Sequence, residues 1–91
     1  SYSDFYKIGE VSLKKKEFKE ALEYFSKASD KSGNPIEKAD ALLGMAIASD
    51  SLKDYVKAKE YGIASHKLLP DETEGLEFLS ELYQKGEQIC H

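Results

Sequence analysis

The chain has 91 residues, 33% of them charged, and a net charge of −4 at neutral pH. That length suits one domain with a modest core, and the acidic balance argues against nucleic acid as the main partner. A single cysteine excludes an internal disulfide, two distant histidines make no metal cluster, and no apolar run approaches the roughly 18 residues of a membrane span.

Ser3 and Asp4 are the first residues suited to cap a helix, which then runs to about Lys14 with Phe5, Ile8, Gly9 and Ser12 as its buried stripe. Lys14-Lys15-Lys16 closes it, where positive charge suits exposed carbonyls. A second helix extends from Glu17 or Phe18 to between Asp30 and Ser32. Its early Glu17, Glu20 and Glu23 and late Lys27 and Lys31 complement the macrodipole. Gly33-Asn34-Pro35 stops it. Asn34, Pro35 and Glu37 read as N-cap, first helical residue and capping-box acid of a third helix reaching about Leu52. Lys53-Asp54 interrupts the pattern, and Asp54 caps a fourth helix from Tyr55 to Leu69. Gly62 within it costs the helix ~1 kcal/mol relative to Ala, which predicts a close backbone contact there. Beyond Pro70, Asp71 and Glu74 cap a fifth helix over 73–86, with Leu76, Leu79, Leu82 and Tyr83 as its apolar side and Gly86 at its end. The tail 87–91 has no pattern and is expected to fray. Six carboxylates and one lysine lie beyond Pro70, so the chain's acidity is concentrated there.

The first two helices and the next two share one layout, 37 residues apart. Phe5 falls over Leu42, Ile8 over Met45, Gly9 over Ala46, Phe18 over Tyr55, Ala21 over Ala58, Tyr24 over Tyr61 and Ala28 over Ser65. Leu76, Leu79, Ser80 and Tyr83 begin a third copy 34 residues on, over Leu42, Met45, Ala46 and Ser49. The three extra residues of the first period belong to the junction, lengthening either the second helix or the turn after it. A helix-turn-helix unit with a period near 34 and an aromatic-Ala-aromatic-Ala second helix resembles the tetratricopeptide repeat, from Ser3 to about Lys85. Ser12 and Ser49 stand where that family has Tyr, and Gly62 where it has an aromatic.

The resemblance implies an all-α, TPR-like α-solenoid of five helices in antiparallel pairs, stacked as a right-handed superhelix. It implies one domain over 1–91, with repeat one over 2–35, repeat two over 39–72, a capping helix over 73–86 and the tail 87–91. In that family the first helix of each repeat lines a concave groove. Carried onto this chain, the groove residues are Tyr6, Glu10 and Leu13, then Asp40, Leu43, Ile47 and Asp50, then Glu74, Glu77 and Glu81: an apolar centre ringed by acids.

No nucleophile-base pair, phosphate loop or dinucleotide fingerprint is present. His66 reads as a surface residue near a helix end, and adjacent Cys90 and His91 lack the further ligands of a zinc site. No catalytic residue, cofactor or metal is therefore expected. The resemblance implies a non-enzymatic protein-protein interaction module or scaffold, binding a partner's peptide or helix with apolar anchors and basic flanks, and neither nucleic acid nor membrane. The family's carboxylate clamp for chaperone C-termini is not expected, because the matching positions hold Tyr6, Glu10, Gly44, Glu74 and Phe78. The alternatives are a self-associating unit, such as a homodimer, or an internal scaffold of a larger protein, since two and a half repeats stand near the ~3-repeat minimum. An unrecognised enzymatic site in the acidic fifth helix is a third. Cytoplasmic location is expected, and the chain opens on Ser1 rather than Met, as a fragment of a longer protein would.

Overall fold

The structure, a computed structural model, describes residues 1–69. These form four helices, α1 (Tyr2–Lys14), α2 (Phe18–Asp30), α3 (Pro35–Ser51) and α4 (Tyr55–Leu68). The fifth helix expected over 73–86, its Asp71-Glu74 cap and the tail 87–91 lie outside the described residues. The described part is all-α, and none of its helices is long and apolar enough to cross a membrane.

Local chemistry sets the helix ends. Lys16 and Lys53 adopt left-handed backbone, with φ of 63° and 65°. That twist lets Glu17 donate its amide to the Ser12 carbonyl at 2.8 Å and Asp54 to Ser49 at 2.9 Å, while Lys16 donates to Leu13 and Lys53 to Asp50. Both are Schellman closures, which satisfy carbonyls that a helix end leaves open. The two hairpins are thus built alike, 37 residues apart. At α3, Asn34 accepts the Glu37 amide at 2.9 Å and the Glu37 carboxylate accepts the Gly33 amide at 2.8 Å, with Pro35 needing no amide partner. Asp54 accepts the Lys57 amide at the head of α4.

The start of α1 differs from expectation. It begins at Tyr2 behind Ser1, and Asp4, inside the first turn, accepts the Ser1 hydroxyl at 3.0 Å rather than capping the helix. α3 starts at Pro35, after the four residues 31–34 that separate it from α2.

Three-residue turns at 15–17 and 52–54 fold sequential helices back on each other. α2 packs on both α1 and α3, which therefore run in the same direction on one side of it. Phe25 is the centre of this layer, 1% exposed, with Ala21, Met45 and Ala48 around it and Tyr6, Leu13, Leu22, Leu42 and Tyr61 leaning on it. A methyl group at Gly9 would come within 3.0 Å of the Phe25 ring, and one at Gly44 within 2.7 Å. Gly62 takes in α4 the place of Phe25 in α2 and is buried, and neighbouring Tyr61 leans on the core. Buried Ala28, Ala39, Ala41, Ala46 and Ala58 let the helices approach closely. Ser65 ties α4 to α3 by donating its hydroxyl to the Ala39 carbonyl at 2.8 Å.

The expected stripe of α1 is half right. Gly9 and Ser12 are buried and Phe5 is partly covered, but Ile8 stays 42% exposed and Val11 beside it 48%. Among the described residues α1 packs mainly on α2 and more lightly on α3, and the flank carrying Ile8 and Val11 keeps its surface.

Candidate functional site

The site builds from α3. With α2 on one side and α4 on the other, α3 buries Ala39, Ala41, Gly44, Met45, Ala46, Ala48 and Ser49. Leu42 leans on the core, and the remaining surface between Ala39 and Asp50 belongs to Asp40, Leu43, Ile47 and Asp50. Their spacing of three, four and three makes one continuous strip. Ile47 is 38% exposed, Leu43 and Asp50 are partly covered, and Asp40 is open. The two aliphatic side chains thus lie between two carboxylates.

α1 supplies the other wall. Gly9 and Gly44 rest on the same Phe25 ring, which aligns the parallel helices. One turn back from that shared point lie Tyr6 on α1 and Asp40 on α3. Tyr2, Tyr6 and Glu10 follow each other at i, i+4 and i+8, on one face. The Tyr2 and Tyr6 rings are 5.6 Å apart and tilted by 30°, and Tyr6 in turn meets Phe25 edge-on at 5.3 Å. Tyr6 and Leu13, which the sequence assigns to the groove, both give part of their surface to the core.

The electrostatics gather at the Tyr2 end. Its phenol is pushed up to about 12, first by burial and then by the negative charge of Asp40, the neighbouring phenol of Tyr6, and the carboxylates of Glu37 and Glu10. Three acids from two helices thus act on one aromatic pair. Glu37, in the first turn of α3, joins this group. Sequence reasoning named Tyr6, Glu10 and Asp40 but missed Tyr2 and Glu37; the i, i+4 relation of Tyr2 to Tyr6 was the available signal for the former.

Of the expected groove residues, Tyr6 and Leu13 lean on the core, Glu10 is exposed on α1, and Asp40, Leu43, Ile47 and Asp50 share one strip of α3. Glu74, Glu77 and Glu81 lie outside the described residues. His66 departs from the surface residue expected: it is partly buried, and its Nδ1 is enclosed with no hydrogen-bond partner among the described residues. No group of three or more His, Cys, Asp or Glu side chains arranged to hold a metal occurs among the described residues.

No family model matches the chain, and no curated protein matches its sequence.

Proposed function

We propose that this chain is a tetratricopeptide-like interaction module: a short right-handed α-solenoid of five helices in antiparallel pairs, without enzymatic activity. Its α1-α3 face receives a peptide or helix of a partner protein that carries apolar anchors and basic flanks. One observation carries this reading. The partly covered Leu43 and the 38% exposed Ile47 form an aliphatic strip beside the buried face of α3, with Asp40 and Asp50 at its two ends and Glu10 on the neighbouring helix. Apolar surface of this kind gains by being covered, and the acids set which partner covers it and how fast it arrives.

The test uses the whole chain and a synthetic peptide with leucines at helical spacing and arginines at both ends. Saturable binding is expected, and Ile47→Asp abolishes it while the protein stays folded, its melting temperature lowered by about 4–8 °C because the residue is more than a third exposed. An Ile47→Asp protein that binds as before, or one that loses stability in proportion to binding, sinks the reading.

Self-association is the second reading, and the exposed flank of Ile8 and Val11 favours it. Light scattering over a concentration series separates the two. A mass of 10.2 kDa throughout fits partner binding. A dimer dissolved by Val11→Asp fits an assembly unit whose edge pairs with a second copy.

A further inference from the structure

The aromatic pair at one end of the strip has a chemistry of its own, apart from the aliphatic centre. Tyr2 and Tyr6 present two neighbouring rings that are half-buried, and Tyr6 is held from behind by Phe25. Fixed rings of this sort offer a negative π face that need not be ordered on binding. The exposed carboxylates beside them come from different helices, Glu10 from the next turn of α1 and Asp40 from the parallel turn of α3. The charged groups acting on the Tyr2 phenol are all acids.

We propose that Tyr2, Tyr6, Glu10 and Asp40 form a receptor for one arginine side chain of the partner, its guanidinium lying on the tyrosine rings and hydrogen-bonded to the carboxylates. This rests on the reading of the α1-α3 face as a peptide groove and names what its Tyr2 end selects. Arginine fits better than lysine for three reasons. Its planar guanidinium stacks on an aromatic ring, its forked donors serve two carboxylates at once, and it gives up water more readily than an ammonium on a half-buried surface. An acidic side chain at the same point meets three carboxylates and is repelled. The register follows as well. The arginine sits at the Tyr2 end, and the apolar anchors follow along the strip toward Leu43 and Ile47.

Two titrations of the isotope-labelled whole chain test this, read by the amide and ring resonances of Tyr2, Tyr6 and Asp40. The first uses Nα-acetyl-arginine amide and its uncharged isostere Nα-acetyl-citrulline amide. Saturable shifts at those three residues with arginine and none with citrulline are expected. Asp40→Asn, which changes an exposed carboxylate by one atom, and Tyr2→Leu, which spares the Tyr6-Phe25 contact, each weaken binding about two- to fivefold. Equal shifts with citrulline, or shifts unaffected by both variants, overturn the receptor. The second titration uses the leucine peptide with one terminal arginine and its citrulline twin. Tighter binding of the arginine peptide, lost in Asp40→Asn but present in wild type, supports the receptor. Equal binding of the twins through Ile47 leaves the groove standing and removes the receptor from it. Arginine amide that binds while neither peptide does keeps the receptor and removes the groove.

Discussion

Phe25 stands so close to Gly44 that a methyl group on the glycine would lie 2.7 Å from the ring. The ring is almost fully enclosed, with Ala21, Met45 and Ala48 around it, so it has little room to withdraw. This contact lets α2 and α3 meet along Phe25 and, through Gly9 on the other side, sets α1 beside α3. The candidate groove depends on that spacing.

Gly44→Ala is therefore expected to destabilise the protein by about 1–3 kcal/mol through overpacking, against a helix-propensity gain of at most about 1 kcal/mol. Gly9→Ala, whose methyl would lie at 3.0 Å, should lose less. Urea unfolding of the two variants decides the matter. A Gly44→Ala protein as stable as wild type would mean that the ring moves aside freely.

The left-handed residues at the two hairpins lead to a gain instead. Lys16 and Lys53 hold φ above 60° without being glycine, a conformation that costs a side-chain-bearing residue roughly 1 kcal/mol or more. Lys53→Gly should stabilise by about 0.5 kcal/mol once the extra freedom of the unfolded chain is subtracted, whereas Lys53→Val should destabilise. Opposite shifts of the thermal midpoint are the expected result, and a shared direction counts against a strained Lys53.

Ser65 makes a polar tie between α4 and α3 at long range, its hydroxyl donating to the Ala39 carbonyl in a buried setting. Ser65→Ala leaves that carbonyl without the hydroxyl and should cost about 1 kcal/mol. Amide hydrogen exchange in α4 should speed up more than in α1. Uniform acceleration over both helices would show that the bond does not hold α4 in particular.

Tyr2 gives a pH dependence whose sign is determined. Its phenol moves from 10.0 in the open chain to about 12 in the fold, so the folded protein keeps the proton longer than the unfolded one. The stability it contributes is complete below pH 10 and disappears as pH rises through the interval to about 12. Phenolate absorbance of wild type minus Tyr2→Phe should titrate near the upper end of that interval, and Asp40→Asn should move it down. A difference curve centred at 10 would separate Tyr2 from the three acids.

Much of the helical layout was legible because it is local. Asn34-Pro35-Glu37 and Asp54 act on amides within four residues, and the lysines after α1 close it within the same reach, so the residues carry the information themselves. The strip was legible too, since Asp40, Leu43, Ile47 and Asp50 fall on one side of any helix through them. Less was readable wherever the outcome depended on a neighbour. Ile8 has the spacing of a core residue, yet it is exposed, because burial needs a second helix and periodicity does not supply one. Tyr24 and Phe25 are adjacent aromatics of similar pattern, and packing alone chose Phe25 for the interior. Tyr6 and Leu13 read as groove residues, and the fold leans both of them on the core.

By itself, the sequence determined four helices, the caps of α3 and α4, the 37-residue layout that repeats the helices, and the acidic and aliphatic residues of one face, all through interactions spanning a turn or two. The tertiary structure decided which glycines admit Phe25, that Ser65 bonds α3, and that Tyr2 joins the acids of another helix. Those depend on atoms brought together from distant positions, and their energies exist only after the helices have packed.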